Sequence, residues 1–128
     1  MQDKKFKIVT LGCKVNQYES AYLEGKFAEA GWQRVSKDDG ADVTVINTCI
    51  VTRTASHQSR QAIRKAIRES PSGIIAAIGC YAQVLPDDLL QIEGLDIIAG
   101  NTEKARLPDI IPPKKYLHAV FSNPLLLK

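Results

Sequence analysis

Short apolar runs alternate along this chain with longer stretches in which apolar residues recur every three or four positions, a pattern of strands alternating with helices. Phe6-Lys7-Ile8-Val9-Thr10-Leu11 is β-prone and stops at Gly12. Over residues 17–30, Tyr18, Ala21, Tyr22, Leu23, Phe27 and Ala30 fall at helical spacing. Gly31 then ends the run, which predicts an amphipathic helix with those residues on one face and a glycine at its carboxyl cap. Trp32-Gln33-Arg34-Val35 reads as a short edge strand whose place in a sheet stays open, because residues 36–41 form a turn too short for a crossover helix. Asp42-Val43-Thr44-Val45-Ile46-Asn47 is a strand covered on both faces, and residues 55–69 are a helix broken by Ser70-Pro71-Ser72-Gly73. Ile74 to Ile78 gives the next buried strand. A short helix around residues 87–92, a strand over 95–99 and a helical stretch over 102–111 complete the pattern.

Such alternation predicts an α/β fold: three layers, doubly wound, a mainly parallel sheet of about five strands in the flavodoxin or Rossmann manner. A chain of 128 residues holds one domain of this kind with its own core. Its 45% hydrophobic and 24% charged residues are ordinary globular composition and speak against disorder over most of the chain. Pro108, Pro112 and Pro113 with Lys114-Lys115 mark the exit, so the domain is expected over 1–111. Residues 112–128 read as a linker or the start of a further domain, with Leu125-Leu126-Leu127 packing on something this chain does not contain. The longest apolar run, Ile74-Ile75-Ala76-Ala77-Ile78, is far below the roughly 18 residues of a membrane span. The first residues lack the apolar stretch of a secretory signal, and the cytoplasm is the expected compartment. A net charge of +3 permits contact with nucleic acid without demanding it.

The chemistry-bearing residues are three cysteines, Cys13, Cys49 and Cys80. Each falls just past the carboxyl end of a predicted parallel strand, so all three are expected on one edge of the sheet, where doubly wound folds bind their ligands. In a flavodoxin-like strand order the three strands are neighbours, and their loops begin within roughly 10 Å of one another. Gly12 and Gly79 allow the sharp turns ahead of their cysteines, and the Thr48 hydroxyl can shape its own loop. A free cysteine is often only a small buried hydrophobe. Three in the same structural position point instead to a soft metal: an iron–sulfur cluster or zinc. His57 and His118 are poorly placed to complete a zinc site, although three thiolates and a water remain a competing arrangement. Three thiolates on a [4Fe–4S] cluster would leave one iron open to a small sulfur or substrate ligand.

Thr10-Leu11-Gly12-Cys13-Lys14-Val15-Asn16-Gln17-Tyr18-Glu19-Ser20, Val45-Ile46-Asn47-Thr48-Cys49-Ile50-Val51-Thr52 and Gly79-Cys80-Tyr81-Ala82-Gln83 together resemble the N-terminal domain of radical-SAM methylthiotransferases. The run from Cys13 to Ser20 is similar to the branch that acts on N6-threonylcarbamoyladenosine in tRNA; the isopentenyladenosine branch is the alternative. The resemblance implies an auxiliary [4Fe–4S] cluster held by Cys13, Cys49 and Cys80. A second such cluster and S-adenosylmethionine would be bound by a following domain, whose Cys-x3-Cys-x2-Cys motif is not in this sequence. It further implies that the auxiliary cluster carries a sulfur that is methylated and then passed to carbon 2 of the adenine. This segment would then present sulfur without being a complete catalyst, and no catalytic residue is assigned to it. Its tRNA contact would come through the whole enzyme, including an RNA-binding domain absent here.

Arg53, His57, Arg60, Arg64 and Arg68 line one helical face, a candidate RNA contact or simply the solvated side of the helix. Asn16 is read first as the cap of the first helix, with Lys14, Asn16 and Gln83 as candidate neighbours of a cluster. A non-enzymatic flavodoxin-like domain with buried or zinc-binding cysteines is the rival class. A receiver would need an aspartate where Asn47-Thr48 stands, a flavin site would need a Ser/Thr-rich loop in place of Gly12 to Asn16, and cobalamin would need a suitably placed histidine.

Overall fold

A computed structural model describes residues 5–12, 14–36, 40–49, 52–70, 73–84, 86–99 and 119–121. For Lys14, Val15, Cys80, Gln83, Pro86 and residues 119–121 it describes the backbone alone. The elements run β1 (Lys5–Thr10), α1 (Lys14–Glu29), β2 (Gln33–Arg34), β3 (Val43–Thr48), α2 (Arg53–Glu69), β4 (Ile74–Gly79), α3 (Cys80–Val84), α4 (Pro86–Leu90), β5 (Ile97–Ala99) and β6 (Ala119–Phe121). The six strands form one sheet in the order β2-β1-β3-β4-β5-β6, and every adjacent pair is parallel. This is the flavodoxin-like order, and helices cover both faces.

The sheet has one strand more than the five expected, and its two edges settle what the pattern left open. At one edge, Gln33–Arg34 becomes β2 against β1, with Arg34, Phe6 and Val43 at one level of the sheet. A two-residue strand at the same height as the start of β3 leaves the connection little distance to travel back, which is why residues 35–42 need no crossover helix. At the other edge, the stretch expected to have no partner contributes Ala119–Phe121 as β6 beside β5. The helix expected over 102–111, Leu125-Leu126-Leu127 and His118 lie outside the described residues.

Two apolar layers sandwich the sheet. Leu23 and Phe27 of α1 pack with Phe6, Val43, Val45, Ala76 and Ile78 on one face. Ile63 and Ala66 of α2, with Leu89, pack with Ile46, Ile75, Ala77 and Ile98 on the other. Consecutive residues of β3 and β4 thus point into opposite layers, and both strands are buried along their whole length, as continuous apolar runs require. Phe6 stacks on Phe27 with ring centroids 4.6 Å apart, and Trp32 meets Phe27 edge-on at 5.4 Å.

α1 starts three residues earlier than its apolar pattern suggests and turns a different face inward. Its buried residues are Asn16, Ser20, Leu23 and Phe27, whereas Tyr18 is 77% and Tyr22 57% exposed, and Ala21 and Ala30 are also exposed. The expectation that Tyr18, Ala21, Tyr22 and Ala30 belong to the buried face is therefore corrected. The first turns of α1 lie over strand ends and loops, where hydrogen-bonding groups need partners, so polar residues face inward there. Its far end behaves as expected: Gly31 has φ +94°, its N–H donates to Ala28 O at 3.1 Å, and Trp32 N–H donates to Phe27 O at 3.0 Å. That is a Schellman cap. α2 begins at Thr52, whose Oγ1 accepts from Ala55 N–H at 3.0 Å.

Candidate metal centre

The three cysteines follow three neighbouring strands. β1 pairs with β3 up to Thr10 opposite Asn47, and β3 with β4 up to Thr48 opposite Gly79. Cys49 and Cys80 are thus the residues that immediately follow one paired position of adjacent strands, about 4.8 Å apart in the sheet direction. Cys13 follows β1 on the other side of β3, across the switch point where the chain order reverses. Of the three, Cys49 is described in full, as a buried free thiol. Cys80 is described by its backbone, as the first residue of α3, and Cys13 lies outside the described residues. Among the described residues no group of three or more Cys, His, Asp or Glu side chains is gathered.

Polar side chains organise these strand ends. Ser59, fully buried on α2, accepts from Cys49 N–H at 3.0 Å and donates to Cys49 O at 3.0 Å, holding both backbone groups of the cysteine. The Thr48 hydroxyl donates to Ile78 O at 2.6 Å, joining the ends of β3 and β4. Asn47 donates through Nδ2 to Asn16 O at 3.0 Å and to Ser20 Oγ at 3.1 Å, and Ser20 Oγ shares a 2.6 Å hydrogen bond with Thr10 Oγ1. Asn16 sits in the first turn of α1, not at its cap: Nδ2 donates to Leu11 O at 2.6 Å and to Thr48 O at 3.2 Å. The expected capping role is overturned because the helix begins before Asn16 and its amide is drawn to loop carbonyls. Lys14 and Gln83 are placed by their backbones in α1 and α3.

Two glycines make the packing possible. Gly12 has φ +91°, and a Cβ there would stand 3.0 Å from both Cβ and Sγ of Cys49. Gly79 has φ +95°, and a Cβ there would stand 2.6 Å from Asn47 Oδ1 and from Thr48 O. Both positions need a left-handed backbone and admit no side chain. Gly12 thus lets its backbone pass close against the Cys49 side chain, and thiolates that follow adjacent strands are the donor type that iron–sulfur and zinc sites use.

The arginine face of α2 is less uniform than its spacing. Arg53, His57, Arg64 and Arg68 are exposed, but Arg60 is half-buried and donates through Nη1 to Tyr81 Oη at 2.7 Å. Tyr81 Oη in turn donates to Asp88 Oδ2 at 3.3 Å. α2 runs away from the cysteine edge, so Arg53 starts beside it and Arg68 ends about 22 Å away. A shallow recess of about 420 Å³ on this flank is lined by His57, Gln61, Ala62, Arg64, Lys65 and Arg68.

Ser59 and Asn47 are not singled out by sequence reasoning as site residues, and Ser20 enters only as part of the run from Cys13 that carries the family resemblance. Ser59 had a visible signal: with Ile63 and Ala66 it occupies the inward stripe of a strongly amphipathic helix, where a hydroxyl needs a specific partner. Asn47 and Ser20 had none, because their partners are 27 or more and 10 residues away in sequence.

Residues 5–100 match the uncharacterized protein family UPF0004. A threonylcarbamoyladenosine tRNA methylthiotransferase MtaB of Bacillus subtilis is 48% identical over 98 residues, 77% of this chain and 22% of the relative. A tRNA-2-methylthio-N(6)-dimethylallyladenosine synthase of Fusobacterium nucleatum is 34% identical over 111 residues, 84% of this chain and 26% of the relative. A ribosomal protein uS12 methylthiotransferase RimO of Desulforudis audaxviator is 33% identical over 111 residues, 84% of this chain and 24% of the relative. The chain spans about a quarter of the length of these relatives. It belongs to the UPF0004 family, the N-terminal domain of methylthiotransferases of these kinds.

Proposed function

We propose that this chain is the sulfur-presenting module of a tRNA methylthiotransferase, and that Cys13, Cys49 and Cys80 hold its auxiliary iron–sulfur cluster. The observation that carries this reading is the sheet register: Cys49 and Cys80 directly follow the paired Thr48 and Gly79, and β1, which leads to Cys13, is the other neighbour of β3. Three thiolates at one sheet edge leave an iron of a four-iron cluster without a protein ligand. When bound, such a cluster supplies a site for the sulfur that ends on carbon 2 of an adenosine. The chain's own residues orient and shield that site. Ser59 fixes the backbone of Cys49, Gly12 lets the neighbouring loop pack against its side chain, Gly79 lets β4 end against Asn47 and Thr48, and the 5% exposure of Cys49 limits water at its thiol.

The substrate proposed is N6-threonylcarbamoyladenosine in tRNA, a cytoplasmic target. The 48% identity to a relative named for that substrate supports it over the dimethylallyl branch, where the identity is 34%. In this reading residues 1–111 form the auxiliary-cluster domain, and 112–128, which include β6, lead toward a radical-SAM domain that binds S-adenosylmethionine and a second cluster. Arg53, Arg64 and Arg68 are candidate phosphate contacts on one flank, with Arg60 tied back to Tyr81. Among the described residues no helix is long and apolar enough to cross a membrane.

The test is a chimera. This chain replaces the matching segment of the Bacillus subtilis relative in cells that lack that enzyme, and tRNA nucleosides are read by mass spectrometry. Methylthiolated threonylcarbamoyladenosine is expected, and its loss with Cys49→Ala. A stable, folded chimera that leaves the nucleoside unmodified, or modifies the dimethylallyl nucleoside instead, contradicts the assignment.

A further inference from the structure

At the cysteine edge one side chain does the work of a missing ladder rung. Strand pairing between β1 and β3 ends with Leu11 N–H donating to Asn47 O at 3.0 Å. Beyond it, the two carbonyls at this end, Leu11 O and Thr48 O, both accept from Asn16 Nδ2, at 2.6 and 3.2 Å. Leu11 stands two residues before Cys13, and Thr48 directly before Cys49. A primary amide has two N–H donors on one nitrogen, so it can hold two converging carbonyls that would otherwise repel. Asn16 is only 4% exposed, so water cannot readily take its place.

The helix supporting this amide is itself anchored. Asn47, at the end of β3, returns a hydrogen bond from Nδ2 to Asn16 O at 3.0 Å. The two asparagines therefore lock reciprocally: the strand holds the helix backbone, and the helix holds the strand-end carbonyls. Gly12 lies in the middle of this contact, its hypothetical Cβ 3.0 Å from Cys49 Sγ and 3.4 Å from Asn16 Nδ2.

We propose that Asn16 is a clasp that sets the separation of the strand ends leading to Cys13 and Cys49, a positioning residue for the metal centre and not a ligand. The proposal rests on the metal-centre reading above. Groups that hold ligand-bearing backbone in place typically change metal affinity by about 10- to 100-fold when removed.

The experiment titrates the metal-free chain anaerobically with cadmium ion, following thiolate-to-metal absorption, and records thermal unfolding of the same samples. Wild type is expected to bind one ion through three thiolates. Asn16→Ala should weaken binding by about 10- to 100-fold at temperatures where it is fully folded. Asn16→Ser, which can reach one carbonyl, should weaken it less. Ile63→Ala removes a core side chain from α2 and touches neither loop carbonyl nor either asparagine. It should lower the unfolding temperature and leave cadmium affinity unchanged. If Asn16→Ala does not fold, Asn16→Ser against Ile63→Ala carries the comparison. Wild-type affinity in the Asn16 variants, or affinity losses that merely track unfolding temperature across all variants, overturns the clasp. Wild type that binds no cadmium through its thiols overturns the clasp and the metal centre together. Cadmium binding without assembly of a cluster from iron and sulfide overturns the iron–sulfur reading alone and leaves the clasp standing.

Discussion

The two long helices make opposite use of the same geometry. α2 buries Ile63 and Ala66 and turns Arg53, His57, Arg64 and Arg68 to solvent, as an amphipathic helix on a sheet should. α1 buries Asn16 and Ser20 in its first half and exposes Tyr18 and Tyr22, and only its second half, with Leu23 and Phe27, obeys the same rule. The difference lies in what each helix meets. Most of α2 lies over Ile46, Ile75 and Ala77 in the apolar middle of the sheet. The start of α1 meets strand ends and loop carbonyls, where a buried amide or hydroxyl gains partners and a buried tyrosine ring would find none. Where a helix inverts its amphipathic pattern beside a ligand-binding sheet edge, the inversion itself points to the site.

Five substitutions bear on that contrast. The largest effect is expected where both helices follow the rule: Phe27→Ala, which leaves a void against Phe6 and Trp32, and Ile63→Ala on the opposite face should each cost about 3 kcal/mol or more in denaturant unfolding. Comparable losses would show that both layers stabilise the sheet; a small loss for Phe27→Ala would mean that α1 is held chiefly by its polar half. Thr52→Ala removes the cap of α2 and should cost about 1 kcal/mol by the same measurement. The smallest effect is expected for Tyr18→Ala and Tyr22→Ala, within about 0.5 kcal/mol of wild type, because these rings are solvent-facing. Tyr22 keeps one contact, Lys26 Nζ at 5.4 Å from its ring centre, which is worth little at an exposed site. A loss above 2 kcal/mol at either tyrosine would break the comparison.

The sheet was largely legible in the sequence because β1 is a short β-prone run stopped by glycine, because β3 and β4 are near-continuous apolar runs, and because α2 has a clean helical period. The places of Cys49 and Cys80 were legible for the same reason: once the strands are placed, a parallel sheet puts their carboxyl ends at one edge. Other features were hidden by distance or shortness. β2, with two residues, was legible as an edge strand but not in its place beside β1, and β6, with three, is below what periodicity can mark. The short helix α3 that begins at Cys80 was missed because Cys-Tyr-Ala-Gln-Val is too brief to show a period. Asn16 read as a cap because asparagine commonly is one; the true partners, Leu11 O and Thr48 O, depend on two strands being side by side. The face of α1 was misjudged because tyrosine counts as apolar in a helical pattern while its hydroxyl and ring sit comfortably in water.

The central claim is that the edge formed by β1, β3 and β4 holds an iron–sulfur cluster. It is tested most directly by anaerobic reconstitution of the chain with iron and sulfide, reading the visible spectrum together with iron and sulfide content. The account predicts a brown protein with about four irons per chain, and a colourless one when Cys13, Cys49 and Cys80 are all replaced by alanine. A wild-type chain that stays colourless and takes up one zinc, or no metal at all, would contradict it.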